Sequence, residues 1–322
     1  MWLRTWARDR HVRVARRGNR FGRAGNHATV RADMATLSEP AAGTHLTPPA
    51  RRGIVRLTRD GFGEMTGRWR LVRYLVAADL KRTHADTALG QAWWLLDPIL
   101  QMLVYYFLFA VIFQRQTEDF LLFLFAAILP WKWFTTTVNN GMNSVVGRQG
   151  LIRQVQFPKL VLPTAATVAE VFSFAIGLIA LAFLFIPYHD RLSIWVLTIP
   201  LIAVVQFVFG LAVAILLAAA NAFYRDVANV MSHLLRLLFY VSPALYAMWE
   251  VPNEQLQTLM LLNPFTTLLT AYRTVTWGTE TVHHGTRPDF LALGILLVIS
   301  SLLVVLAVAL FKRVEPAFAR IL

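Results

Sequence analysis

The sequence predicts an all-α integral membrane protein with six transmembrane helices, because its apolar residues are abundant and gathered into long runs. Of the 322 residues, 57% are hydrophobic and only 15% are charged, with a mean hydropathy of +0.52, whereas soluble domains are about 25% charged. A helix needs about 20 apolar residues to cross the hydrocarbon core. Runs of roughly this length lie near residues 98–113, 120–138, 164–186, 193–220, 227–247 and 290–311. Lipid offers no partner to a free backbone N–H or C=O group, so each run is expected to be helical, and a soluble helical bundle is disfavoured.

The region before the first run has two parts. Residues 1–53 are Arg-rich and contain no apolar stretch of signal-peptide type, so we expect a basic, disordered leader. Met34 opens an alternative start, and residues 1–33 would then lie outside the natural product.

Residues 54–97 are predicted to form a cytoplasmic or interfacial amphipathic segment, followed by a permease domain over 98–322. From Arg68 to Trp94, apolar and basic residues alternate in a helical pattern that suits a helix lying in the inner membrane interface. One face of this helix would carry Leu71, Tyr74, Leu75, Ala78 and Arg82. Pro98 is expected to separate the helix from the first span; the alternative is a single longer span.

The placement of basic residues predicts the topology. Of the 31 Lys and Arg residues, 18 precede Pro98, and others lie between runs two and three, between runs four and five, and after run six. Because basic loops stay in the cytoplasm, both termini are predicted to be cytoplasmic, in a multi-pass protein of the bacterial cytoplasmic membrane. The net charge of +13 is then explained by topology, and nucleic-acid binding is not expected.

A polar break divides the apolar stretch between runs five and six. Residues 251–272 are interrupted at Asn263–Pro264, and neither side is long enough to span. We therefore predict a re-entrant helical hairpin in the outer leaflet, covered by protein or water. A seventh span would place Lys312 and Arg313 outside, against the charge rule.

The segment GLIRQVQFPKLVLPT (150–164) is basic and bounded by prolines although apolar runs flank it. It contains Arg153 and Lys159 but no acid, and Leu151, Ile152, Val155 and Phe157 give it an apolar side. A cytoplasmic loop of this kind suits a groove on a partner protein. The alternative is a loop that rests on lipid headgroups.

Seven motifs in order then resemble the permease of ABC type-two exporters, above all the branch that moves lipid-linked polysaccharides such as O-antigen, capsule, teichoic acid or galactan. The match extends from about Val72 to the C-terminus. The motifs are ADLKRTHADTALGQAWWLLDP, FAAILPWKWF, GLIRQVQFPKLVLP, NAFYRDVANV, FYVSPALY, NPFTTLLTAYR and FKRVEPAFARIL. The chain departs from the family pattern at Ala78, at His84–Ala85 and at Asp97–Pro98, which weakens predictions about how the interfacial helix is anchored.

The resemblance implies partners and the residues that contact them. Two copies of the chain would assemble with two ATP-binding cassette subunits, with the substrate path between the copies. Arg153, Phe157, Pro158 and Lys159 would dock on the ATPase, and Tyr224, Arg225 and Asp226 would form a second cytoplasmic contact. The high Ala and Arg content is typical of a high-GC source and agrees with a galactan substrate.

The chain is not expected to bind ATP, another cofactor or a metal. Lys81, Lys132, Lys159 and Lys312 are its only lysines, and none precedes the Ser or Thr of a P-loop. ATP and magnesium would therefore bind the partner subunit. The chain has no cysteine, and the outer-loop residues Glu280, His283 and His284 are expected to be solvated rather than to bind a metal.

Tyrosines and intramembrane charges are the candidate path residues. Aromatic rings offer a sliding sugar polymer many weak contacts, and we select Tyr105, Tyr106, Tyr240 and Tyr246, although interface belts and core packing also use such residues. Ionisable groups within spans are costly, so they need partners or water. Those groups are Lys132, Glu170 and Arg236. Lys132 and Glu170 are predicted at matching depth, where they would pair or jointly face the path.

Other functions remain alternatives. An exporter of drugs or small lipids would use the same fold. An intramembrane glycolipid enzyme would need clustered acids or a His-containing constellation, yet Asp97 and Asp226 are isolated in the sequence. A secondary transporter would be expected to show inverted repeats, and no convincing internal repeat is visible.

Overall fold

The computed structural model describes residues 53–82, 87–114, 117–279 and 281–321. The predictions about the leader and Met34, about His84–Ala85 and about Glu280 lie outside these residues. Throughout the described ranges the regular secondary structure is helical and contains no strand. The helices are α1 (Ile54–Gly67), α2 (Trp69–Arg82), α3 (Trp93–Tyr106), α4 (Phe120–Asn143), α5 (Gln149–Gln154), α6 (Val161–Leu184), α7 (Ile199–Phe223), α8 (Asp226–Val241), α9 (Glu254–Leu261), α10 (Pro264–Thr276) and α11 (Phe290–Ile321).

Five of the described helical segments are long and apolar enough to cross a membrane. The segments are Trp93–Ile112, Phe120–Asn143, Val161–Leu184, Ile194–Phe223 and Phe290–Phe318. The predicted span near 227–247 corresponds to α8, which has only 16 residues and ends just before Ser242–Pro243. A proline cannot donate to the preceding turn and disfavours helix in the residue before it, which accounts for the early end. The prediction of six spans is therefore not confirmed.

The predicted break at Pro98 is wrong, because α3 passes through it and continues into a π-helical turn at Phe107–Ile112. The missing N–H costs a single hydrogen bond close to the helix start, and membrane helices tolerate this loss. The chain is instead non-helical at the described residue Thr87, well before Pro98.

α2 packs through a face that overlaps the predicted one only in part, since Leu71 and Leu75 belong to both. Its buried residues are Val72, Leu75 and Val76, which join a hydrophobic cluster with α6, α7 and α11. Tyr74, predicted on the apolar face, is exposed. The predicted face was offset by about one residue because basic residues alternate with apolar ones around the whole helix.

α4 is the central helix of the bundle and is buried along most of its length. The helices α3, α6, α7 and α10 pack around it, and α11 packs along α7. Aromatic side chains fill much of this core: Trp133 stacks on Phe174 at 4.2 Å, and Phe265 meets Trp131 and Phe134 edge-on at 4.9 and 4.5 Å. The core therefore lies between α4 and the helices that follow it.

Gly141 lies at a close contact between α4 and α7. A Cβ atom at Gly141 would lie 2.5 Å from the Ala214 Cβ and 3.4 Å from its Cα. We expect Gly141→Ala to destabilise the protein by about 1–3 kcal/mol through overpacking, measured as a lower melting temperature of the purified protein. Adding Ala214→Gly removes the clash and should restore stability; no recovery in the double variant would contradict the helix contact.

Gly177 offers a matched control for that experiment. A Cβ there would meet the Leu129 Cδ1 at 2.2 Å, but this atom ends a flexible side chain that can turn aside. Gly177→Ala is therefore expected to lower the melting temperature less than Gly141→Ala does.

Candidate coupling surface and translocation face

Side-chain bonds gather several segments at one end of the bundle, here called the coupling end. At the C-terminal end of α7, the Asn221 amide donates to the Met142 carbonyl and the Asn143 side chain, both at 3.2 Å. The C-terminal ends of α4 and α7 therefore lie together. The loops that follow them, 144–160 and 224–225, start from the same end.

The loop 144–160 contains the predicted docking residues. α5 occupies its middle, and Arg153 is exposed there beside the exposed apolar side chains of Leu151 and Val155. Ile152 is buried, and Phe157 is half-buried against the hydrophobic cluster of α2, α6, α7 and α11. The predicted apolar side is thus divided: Ile152 and Phe157 pack against the protein, whereas Leu151 and Val155 face outward.

Glu315, near the end of α11, fixes the end of this loop. Its Oε1 accepts a hydrogen bond of 2.6 Å from the backbone N–H of Lys159, directly after Pro158. Its Oε2 lies 2.5 Å from the Lys312 Nζ, which also lies 2.8 Å from both carboxylate oxygens of Glu64 in α1. We define Glu64, Lys312, Glu315 and the Lys159 backbone as the Glu315 network. It ties the loop to α11 and α1, and sequence analysis missed it because its members lie far apart in the chain.

Tyr224, Arg225 and Asp226 are exposed between α7 and α8, at the coupling end. Tyr224 has extended backbone angles and ends α7. Asp226 begins α8, where its negative charge complements the positive end of the helix dipole. The three residues form an open polar corner available for contact.

Three of the four selected tyrosines lie together where α3 meets α8. The Tyr105 ring packs 5.6 Å from Phe239, and Tyr105 also interacts with the side chain of Tyr240. The Tyr246 hydroxyl donates to the Val241 carbonyl at 2.9 Å, at the end of α8. Tyr106 lies apart and contacts Phe120 at 6.4 Å.

α3 and α8 also expose many large apolar side chains. Exposed residues on α3 and its final turn are Leu100, Leu103, Val104, Tyr106, Phe107, Val111 and Ile112; on α8 they are Val230, Leu234, Leu237, Tyr240 and Val241. Arg236 is exposed on the same helix, beside Leu237. We call this surface the α3–α8 face.

The predicted pair of Lys132 with Glu170 is wrong. The Lys132 Nζ lies 3.2 Å from the Asp97 Oδ2, and the Glu170 Oε1 accepts a hydrogen bond of 2.6 Å from the Asn140 amide. Asn140 lies eight residues beyond Lys132 in α4, about 12 Å along the helix axis. The prediction ended this span near residue 138, whereas α4 continues to Asn143, so Lys132 is farther from the coupling end than Glu170.

Glu170 instead borders a polar cavity at the coupling end, with a volume of about 300 Å³. Asn140 and Trp94 also line it, together with Arg148, which pairs with Asp79 of α2. The pairing of Arg148 with Asp79 attaches α2 to the end of α4.

At the opposite end of the bundle, here called the distal end, two buried arginines join several segments. Arg191 contacts Asp119 at 2.6 Å and Glu118 at 3.3 Å, and donates to the Trp277 carbonyl at 3.2 Å. Burial, with the nearby charge of Asp119, raises the pKa of Tyr188 above its ordinary value. Arg273 is only 3% exposed and donates to the carbonyls of Tyr246 and Ala244. Both arginines thus join distal segments.

No metal centre is formed by the described residues, since they contain no group of three His, Asp or Glu side chains suited to hold an ion. His283 lies 3.1 Å from Glu118 in an exposed pair.

The sequence matches the family model "ABC-2 type transporter" over residues 70–277. It is 33% identical over 267 residues to the O-antigen export system permease protein RfbA of Myxococcus xanthus, covering 83% of this chain and 99% of the relative. Two O-antigen export system permease proteins RfbA of Klebsiella pneumoniae are each 29% identical, over 246 and 245 residues, with 76% of this chain and 92% of each relative covered. The similarity therefore includes both the coupling end and the α3–α8 face.

Proposed function

Because the chain belongs to the ABC-2 type transporter family, we propose that it is the membrane-spanning subunit of an ATP-driven exporter of a lipid-linked polysaccharide. The observation that carries the proposal is the alignment with an O-antigen export permease over 99% of that relative's length. The chain is a multi-pass membrane permease, and the ATPase activity of such exporters lies on a separate subunit. ATP and magnesium would accordingly bind that subunit.

We propose six membrane crossings, with both termini in the cytoplasm. α1 contacts the end of α11 through the Lys312–Glu64 pair, so both helices have ends at the coupling end. α8 begins at that end, whereas Trp277, after α10, donates to the Glu118 carbonyl at the distal end. A chain that runs between these points crosses the bundle, which supports α8 as the additional crossing despite its length.

A re-entrant hairpin formed by α9 and α10 completes this topology. Phe265, at the start of α10, lies 4.9 Å from Trp131 in the middle of α4, whereas Trp277 lies 5.3 Å from Phe123 near the start of α4. The Asn263 amide, at the turn before α10, donates to the Ser242 hydroxyl at 2.8 Å. These contacts support a turn that reaches the interior of the bundle and returns to the distal end.

The coupling end would contact the ATPase subunits. The exposed Arg153, the Phe157–Pro158–Lys159 bend and the Tyr224–Asp226 corner supply polar and apolar contacts at the same end of the bundle. A loop fixed to the body by Ile152 and Glu315 can transmit a displacement that a flexible linker would absorb. The complex would contain two copies of the chain and two ATPase subunits.

The α3–α8 face would meet the second copy and form one side of the path. Its exposed rings, with Tyr105 and Tyr246 beside them, offer a glycan repeated apolar contact without a deep pocket. An exporter of drugs or small lipids would use the same face and is the second candidate; the naming of the relatives favours the glycan. An intramembrane glycolipid enzyme is a lower alternative, since Asp97 is neutralised by Lys132.

The test is reconstitution of the chain with its ATPase subunit in vesicles that contain a lipid-linked glycan. We expect ATP-dependent transfer of the glycan across the bilayer, whereas the chain alone should hydrolyse no ATP, since none of its lysines fits a P-loop. A drug-like lipid replacing the glycan serves as the control. ATP-driven movement of that lipid and not of the glycan would contradict the proposed substrate.

A further inference from the structure

In α1 and α2, the two helices before the first span, basic and acidic side chains differ in how exposed they are. Every basic residue of the pair is exposed: Arg56, Arg59, Arg68, Arg70, Arg73, Lys81 and Arg82. The acids Asp60, Glu64 and Asp79 are half-buried instead. Glu64 and Asp79 point inward to Lys312 and Arg148. The charge that α1 and α2 present outward is therefore positive throughout.

Large apolar side chains are exposed among these charges. Val55 is 83% exposed, Trp69 50% and Tyr74 73%. Arg70, Arg73 and Ala77 follow one another along the same exposed stripe of α2. Arginines around exposed aromatic rings are typical of a helix at the boundary of headgroups and acyl chains, where the rings enter the apolar layer and the guanidinium groups reach the headgroups.

α1 lies beside an apolar span and not beyond its end. A Cβ atom at Gly61 would meet the Val308 Cγ1 at 2.3 Å, and Val308 is four residues before Lys312, where the apolar run ends, about 6 Å along the helix. The exposed side of α1 is consequently at the depth of lipid headgroups.

We propose that the exposed side of α1 and α2 binds anionic phospholipid headgroups, so that lipid charge and not only lipid polarity holds the pair on the membrane. Anionic lipids attract basic segments within a Debye length of the surface. The inference requires that the chain be embedded in a membrane but does not depend on what it exports.

The absence of cysteine from the whole chain makes the test direct. Ala77→Cys, an exposed position on α2, is labelled with a polarity-sensitive dye in the full-length protein, and quenching by neutral acrylamide is measured. We expect several-fold weaker quenching in phosphatidylcholine vesicles that contain phosphatidylglycerol than in phosphatidylcholine alone. The difference should shrink in high salt.

Two controls make the result specific. In the quadruple variant R56Q/R59Q/R70Q/R73Q, quenching of the Ala77→Cys dye should no longer depend on lipid charge. Quenching of a dye at Thr281→Cys, exposed at the distal end, should not depend on lipid charge in the unmodified background either. Equal quenching of the Ala77→Cys dye in both vesicles would overturn the proposal. So would protection that appears only when the ATPase subunit is added, because the partner would then be a protein surface.

Discussion

Arg273→Met is expected to cause a large loss of stability at the distal end. The Arg273 guanidinium donates to the carbonyls of Tyr246 at 2.9 Å and Ala244 at 3.0 Å, and its Cζ lies 3.7 Å above the Phe123 ring. A hydrogen bond to a charged group contributes about 1.5–3 kcal/mol, and unsatisfied buried carbonyls add a penalty. We therefore expect the free energy of unfolding to fall by about 3–5 kcal/mol, visible as a much lower melting temperature in detergent.

The controls for this experiment are another arginine and a conservative variant. Arg287 also lies over an aromatic ring, 5.2 Å from the Phe290 centroid, but it is exposed, so Arg287→Met should change stability by less than about 0.5 kcal/mol. Arg273→Lys keeps the charge but lacks the planar fork that reaches two carbonyls, and it should fall between the other two. Equal melting temperatures for Arg273→Met and Arg287→Met would show that the hydrogen bonds from Arg273 to the Tyr246 and Ala244 carbonyls do not stabilise the protein.

Arg273 also shows why the sequence predicted the helices better than their contacts. The apolar runs mark the lipid-facing and core residues, because the bilayer fixes how many such residues a span needs. An arginine at the edge of a run looks like a loop charge, since the backbone carbonyls that accept its hydrogen bonds belong to a turn 27 to 29 residues earlier. Nothing in the local pattern indicates that the turn folds back onto α10.

The Lys132–Glu170 prediction failed for a related reason. Depth within a membrane was inferred by counting residues from the predicted ends of the spans, and α4 extends past its apolar run through the polar residues Asn139, Asn140 and Asn143. Helix continues there because Asn140 and Asn143 find partners in Glu170, Asn139 and Asn221. Tertiary hydrogen bonds of this kind override the sequence signal that ends a helix.

The family resemblance is confirmed by the match over residues 70–277, and it rested on short motifs in a fixed order rather than on periodicity. The predicted coupling and path residues stay predictions. The structure nevertheless places Arg153, Lys159 and Tyr224 at one end of the bundle, where Glu315 accepts a hydrogen bond from the Lys159 backbone.

Glu315→Ala is expected to uncouple ATP hydrolysis from export in the reconstituted complex. The substitution removes the acceptor for the Lys159 backbone N–H and one of the two carboxylates that neutralise Lys312. Because the loop after Phe157–Pro158 would then lose its bond to α11, movement of the ATPase would displace the loop without moving the spans. We expect export per ATP hydrolysed to fall by about tenfold or more, because a hydrogen bond to a charged group contributes about 1.5–3 kcal/mol and each 1.4 kcal/mol corresponds to about a factor of ten.

The ratio of the export rate to the rate of ATP hydrolysis distinguishes this mechanism from a simple folding defect. A misfolded or unassembled permease would lose export and the ATPase activity of the complex together. A loop detached from α11 would lower export but not ATP hydrolysis. Glu315→Gln keeps an acceptor for Lys159 but not the charge for Lys312, so its coupling ratio should lie between those of Glu315→Ala and the unmodified protein. Glu254→Ala, at an exposed glutamate in the first turn of α9, should leave the ratio unchanged. A proportional fall of export and hydrolysis in Glu315→Ala would mean that Glu315 supports assembly alone, and the loop would then need another attachment to the spans.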